Sequence, residues 1–234
     1  MGVLQKRLTV QMTALAVAIA LAMPALAQAA PQFHINGNLV GATQQSAVGF
    51  GTLTLSNSRF GEFKCKVLMG WTVGNESEKG VGGIEQWHPF QCTAKECQGS
   101  ALVTPEGLEL IEETHGTEKI YSPKIIKPNM PWPLELLTFG TGKAKVNTRK
   151  MKMYLVCPQE GLEVPFNGNL EPHLVNGLKN GLSPSHLVFE GKGGSTSWLS
   201  SPAICGGCES EEDNLYLSGE LTVIGASEEL VTAE

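Results

Sequence analysis

The side chains best suited to chemistry in this 234-residue chain are its six cysteines, Cys65, Cys92, Cys97, Cys157, Cys205 and Cys208. Cys205-Gly206-Gly207-Cys208 has the Cys-x-x-Cys spacing shared by redox dithiols and zinc ligands. A reactive dithiol needs a thiolate, which positive charge or a helix N-terminus favours. Here Pro202 precedes the motif and Glu209, Glu211, Glu212 and Asp213 follow it, so the surroundings disfavour a second negative charge. A zinc site would have to combine Cys92 and Cys97 with Cys205 and Cys208 as four thiolates. The same acidic run lacks the spaced Asp/Asn pattern of a Ca²⁺ loop.

Other catalytic constellations are hard to assemble. Asp213 is the only Asp, so a Ser-His-Asp triad must use it or substitute a Glu. No Gly-x-Ser-x-Gly elbow occurs. His34, His88, His115, His173 and His186 form no His-x-His or His-x-x-x-His pair. Glu112-Glu113, Glu211-Glu212 and Glu228-Glu229 are adjacent pairs. Neighbouring residues of a strand face opposite ways and cannot act together as a glycosidase dyad. No phosphate-cradling loop or dinucleotide fingerprint is present, and no cofactor is implied. Four tryptophans remain as candidates for stacking on a sugar ring. Trp71 falls in register with an apolar face, and Trp132 is wedged between two prolines. Trp87 and Trp198 are the two expected to stand exposed as ligand-stacking residues.

What must position these residues begins at residue 31. Residues 1–30 read as a cleavable signal peptide: Lys6 and Arg7, then an apolar run from Leu8 to Met23, then Ala25-x-Ala27 and Ala27-x-Ala29 after Pro24. Thr9, Gln11 and Thr13 interrupt the run, which falls short of the ~20 residues a membrane span needs. No second such run follows, so no membrane span is expected in the mature chain. Removing Lys6 and Arg7 takes the net charge from −6 to −8. A chain this acidic carries no electrostatic footprint for nucleic acid.

Export to an oxidising space makes six cysteines read as disulfides. One pair follows from register. From Phe63 to Val73 every odd position is apolar, the period of a half-buried strand. Gly74 to Gly83 reads as a turn and Gly83 to Ala94 as the return strand. Folding this hairpin sets Val73 against Ile84, Val67 against Phe90 and Cys65 against Cys92. In that register Trp87 points outward and His88 faces Met69. Cys97 then pairs with Cys157 by elimination, and Cys205 with Cys208 locally.

Further short strands are expected at Phe33–Val40 (broken at Asn36-Gly37), Gly51–Ser56, Ala101–Val103, Leu108–Ile111 and Lys119–Ile126. Others are Gly142–Asn147, Lys150–Cys157, Val164–Leu170, Leu187–Glu190 and Leu215–Ile224. Leu134 to Phe139 is apolar without a clear type, and Ser227 to Val231 has room for one helical turn. Residues 195–213 read as a loop excursion. With 27 Gly and 13 Pro, the pattern predicts one all-β domain over residues 31–234. Its expected form is an antiparallel β-sandwich, with barrel and jelly-roll variants open.

The order of several short motifs resembles a group of uncharacterised exported β-rich proteins of high-GC Gram-positive soil bacteria. These motifs are Phe33-x-x-Asn36-Gly37, Gly51-x-Leu53-x-Leu55, Cys65, the Cys92…Cys97 pair, Pro131-Trp132-Pro133-x-Glu135-Leu136, Cys157, Ser183-Pro184-Ser185-x-Leu187-x-Phe189-Glu190 and Leu221-x-Val223-x-Gly225. The loop holding Cys205 and Cys208 departs from that group's pattern. The resemblance implies export and a β-rich fold, and no activity, ligand or catalytic residue. The expectation is therefore a secreted or envelope-associated, non-catalytic binding domain with an extracellular or cell-wall partner, glycan included. A secreted hydrolase acting on a polysaccharide or ester, and a thiol or zinc site at Cys205 and Cys208, are the alternatives.

Overall fold

The computed structural model describes residues 30–58, 61–94, 102–105, 108–115, 118–125, 130–140, 143–157, 162–178, 183–193, 198–199, 214–225 and 231–233. The expected signal peptide, Cys97, Cys205, Cys208, Asp213 and nearly all of the expected excursion lie outside these residues. The strands are β1 (Phe33–Ile35), β2 (Asn38–Leu39), β3 (Gln45–Asn57), β4 (Gly61–Glu76), β5 (Lys79–Ala94), β6 (Leu102–Pro105), β7 (Leu108–His115) and β8 (Glu118–Ile125). They continue with β9 (Trp132–Gly140), β10 (Lys143–Cys157), β11 (Leu162–Leu170), β12 (His173–Val175), β13 (Ser185–Glu190), β14 (Trp198–Leu199), β15 (Leu215–Gly225) and β16 (Val231–Ala233). No α-helix occurs among the described residues, and Val231, placed by sequence in a helical turn, begins β16.

Eight strands close into an antiparallel barrel in the order β10-β12-β13-β15-β3-β4-β5-β9, with β9 pairing back onto β10. The expected sandwich is thus replaced by its barrel variant. The reason lies in β9, whose residues hydrogen-bond to β5 on one side and β10 on the other. Closure removes the open edges that a sandwich must protect. β11 and β6 flank the far half of β10, and β7 with β8 forms a separate hairpin.

The long β4–β5 hairpin departs from its expected register in an instructive way. Its turn is two residues, Ser77 and Glu78, both with positive φ (49° and 63°), not the ten-residue segment from Gly74 to Gly83. At the far end the expected pairing holds: Lys64 meets Thr93 and Phe63 meets Ala94. A bulge between Lys64 and Lys66 then slips the register by one, and a second between Gly70 and Trp71 slips it again. Val67 therefore pairs with Pro89, Trp71 with Ile84 and Val73 with Gly82. Gln91, in the first bulge, has φ 49°. A one-residue slip turns every side chain to the opposite face, and the second slip turns them back. Only residues 86–90 are inverted. Trp87 goes into the core at 2% exposure, while His88 and Phe90 come out.

β10 shows the same device. Ala144, Val146 and Thr148 are buried, then Met151, Met153, Leu155 and Cys157. The parity changes at a bulge between Thr148 and Met151, where Lys150 has φ 56°. The two strands expected at Gly142–Asn147 and Lys150–Cys157 are one bulged strand. A parity change is what a hairpin would also produce in sequence.

Positive φ costs a non-glycine residue about 1–2 kcal/mol, and a two-residue hairpin turn of this kind favours Asn-Gly. The chain uses that dipeptide at Asn36-Gly37 (φ 52° and 76°) between β1 and β2. Replacing Ser77 by Asn and Glu78 by Gly is therefore expected to stabilise the protein by about 1 kcal/mol. Thermal unfolding checks this, with a rise of roughly 2–4 °C expected.

β1, β2 and β16 form a small sheet docked on the end of the barrel at the β4–β5 turn. Phe33 is fully buried there, with its ring edge-on to Trp71 at 6.0 Å. Gly80 makes the room: a Cβ at that position would lie 2.4 Å from Leu136 Cδ1 and 3.0 Å from Phe33 Cδ2.

Candidate functional site

Among the described residues the interior of the barrel is packed with its own side chains. Trp71, Trp87, Trp132, Met69 and Met151 are among the largest fully buried residues. The cavity left among Trp71, Trp87, Thr148, Met151, Leu187 and Phe189 measures about 10 Å³, room for about one water molecule. An eight-stranded barrel is just wide enough either to pack solid or to hold one small ligand, and this one packs. Among the described residues the Nε1–H groups of Trp71, Trp87 and Trp132 meet no hydrogen-bond acceptor.

The polar groups sunk near the barrel end serve the backbone. Asn75 accepts from Phe33 N at 2.8 Å and donates to Phe33 O at 2.9 Å and Val40 O at 2.6 Å. Asn176 accepts from Ala233 N at 2.8 Å and donates to Ala233 O at 2.7 Å. Ser185 Oγ donates to Val231 O and accepts from Gly177 N. These amides and this hydroxyl act as surrogate strand partners that seat β1 and β16.

The cysteines behave as staples where they are described. Cys65 and Cys92 are joined, as their register predicts, across 27 residues of sequence. Cys157 is disulfide-bonded as well; its expected partner Cys97 lies outside the described residues. Cys92, held by Cys65, has no thiolate to give, which removes the four-thiolate zinc site that needed it. Among the described residues no group of three or more His, Cys, Asp or Glu comes together to hold a metal.

The expected exposure of Trp87 is overturned by the two bulges, which put it inside against Trp132, ring centroids 6.2 Å apart. Only the backbone of Trp198 is described, pairing with Tyr216. His88, expected on the apolar side, is exposed on the outer wall opposite Leu68. His173 Nδ1 lies 3.0 Å from Glu190 Oε1, a polar contact joining β12 to the end of β13.

What the sequence did not mark is a stripe on the outside of β3, β4 and β5. Phe50, Leu68 and Phe90 are exposed by 44%, 43% and 46%. Phe50 pairs with Leu68, Leu68 with His88, and Phe90 with Lys66, so the three apolar side chains are cross-strand or diagonal neighbours. Leu68 is an off-parity apolar residue of its alternating strand, whereas Phe50 precedes the strand expected at Gly51–Ser56 and is placed only by the longer β3. Phe90 was not legible as exposed, because its outward direction depends on the bulges. Half-buried Val48 and Ile224 extend the stripe, and Lys64 and Lys66 border it. A contiguous apolar patch rimmed by charge is what a macromolecular contact surface looks like. Comparison with protein-family models, with curated proteins and with solved structures finds no match for the chain.

Proposed function

We propose that this protein is an exported, non-catalytic interaction domain that works outside the cytoplasm, and that its contact surface is the β3–β4–β5 wall. The observation that carries the reading is the adjacency of exposed Phe50, Leu68 and Phe90. The packing of the barrel interior is in keeping with it: among the described residues the cavity beside Trp71 and Trp87 measures about 10 Å³. The disulfide between Cys65 and Cys92 fits an oxidising compartment. Extracellular and cell-wall partners, glycans among them, suit a surface of aromatic and basic side chains.

The test places a photo-crosslinking phenylalanine derivative at Leu68, and as a control at exposed Lys152. Illumination in the exporting cell is expected to give covalent adducts from position 68 and few from 152. Equal yields at the two positions, or none, overturn the reading. A secreted hydrolase is the second reading, favoured by the His173–Glu190 pair. It gains the argument if the mature chain cleaves a glycoside or ester and His173→Ala abolishes the cleavage.

A further inference from the structure

On the outer wall Lys66 and Glu220 stand symmetrically about β3. Across five strands one row reads Val188, Glu220, Thr52, Lys66, Phe90, centred on Thr52 of β3. The next row reads His186, Thr222, Phe50, Leu68, His88, centred on Phe50. Adjacent strands lie about 4.8 Å apart, so Glu220 and Lys66 stand equally far on either side of β3. Both are exposed, and among the described residues neither makes an ion pair within the chain.

We infer that the partner of this wall is a second copy of the same chain, related by a two-fold axis running along β3 in the plane of contact. The inference rests on the reading of the wall as a contact surface. Such an axis keeps position along the strands and exchanges the two sides of β3. Lys66 then faces Glu220 of the partner subunit, and Glu220 faces Lys66 of the partner subunit. Phe50 meets its own symmetry mate at the centre, while Phe90 and Val188, each two strands from β3 on the curved barrel wall, flank the contact. Lys64, level with Ser218, faces a hydroxyl, so no like charges oppose one another. The other in-plane axis, running across the strands between the two rows, sets Leu68 over Lys66 and Glu220 over Thr222 and matches no opposite charges. A two-fold contact needs a patch complementary to itself, and only the axis along β3 provides one. The wall is also an unusual place for lysine beside exposed aromatic rings in a chain of net charge −6. Self-pairing gives Lys66 a carboxylate.

Sedimentation equilibrium of the mature chain over a wide concentration range tests this. The wild type is expected to dimerise, and more weakly in 1 M salt, where the screening length falls to about 3 Å. Lys66→Glu and Glu220→Lys should each weaken the dimer by roughly tenfold or more, because each sets like charges face to face. The double variant K66E/E220K restores opposite charges and should return to within about threefold of the wild type. All four chains should melt together, since both positions are on the surface. A monomer at every concentration, or a double variant no better than the singles, overturns the inference. Crosslinking from position 68 separates this from failure of the broader reading. Adducts to another macromolecule by a monomeric chain leave the wall a contact surface with a different partner. No adducts and no dimer remove both.

Discussion

Replacing Asn75 by Ala is expected to lower the unfolding free energy by about 3–5 kcal/mol and to undock the β1–β2–β16 sheet from the barrel end. Asn75 is the penultimate residue of β4, buried, and its amide grips both the N–H and the carbonyl of Phe33 and the carbonyl of Val40. Each net hydrogen bond is worth about 1 kcal/mol, and each buried backbone group left without a partner costs about 1–3 kcal/mol. Phe33 O retains Val40 N at 3.0 Å, so two groups, Phe33 N and Val40 O, are stripped. Urea unfolding measures the loss. Amide exchange locates it: protection should fall first in residues 33–40 and 231–233 while β3 and β4 stay protected. Asn75→Asp should be at least as damaging, because a carboxylate would face two carbonyl oxygens with nothing to donate. A loss under 1 kcal/mol with unchanged exchange at Phe33 would show that packing of its ring against Trp71 holds the sheet without the amide.

The second large effect is expected from Cys65→Ser with Cys92→Ser. The bridge spans 27 residues of sequence, and closing a loop of that size removes unfolded-chain entropy worth about 3–4 kcal/mol. For a domain of this length that corresponds to a fall in melting temperature of roughly 6–16 °C. Cys65 is fully buried, so the Ser variant also places a hydroxyl in the core. Cys65→Ala with Cys92→Ala separates the two contributions. The Ala pair should recover part of the loss and leave the entropic share. The bridge also lies beside the bulge that turns Trp87 inward. Its removal is therefore expected to loosen that bulge, seen as faster amide exchange at residues 86–92 than in the rest of β5.

The bulges explain where reading the sequence succeeded and where it stopped. Period-2 alternation from Phe63 to Val73 identified β4 and its buried face residue by residue, because an unbroken strand keeps one parity throughout. Asn36-Gly37 marked its turn because few dipeptides accept two positive φ values. Cys65 and Cys92 could be paired because the register is unslipped at that end of the hairpin. Trp87 could not be placed, since nothing in the local pattern of β5 says that Gln91 and Glu85 are extra residues. The short β12 and β16 were invisible for a different reason. Each has three residues, too few for periodicity; β12 is held between β10 and β13, and β16 by Asn176 and Ser185, which are distant from it in sequence.

For the candidate site the division is sharper. The sequence by itself determined that the chain is built of strands, which face of β4 is buried, and that two of its cysteines meet. Those properties are local, or involve one hairpin, and follow from alternation and spacing. Only the tertiary structure decided that the sheet closes, because closure depends on β9 reaching both β5 and β10. It also decided that three tryptophans pack inside the barrel and that Phe50, Leu68 and Phe90 stand on its outer wall. The neighbours of Phe50 are Leu68 and Thr222, 18 and 172 residues away in the chain. A patch assembled from four strands has no signature in any one of them.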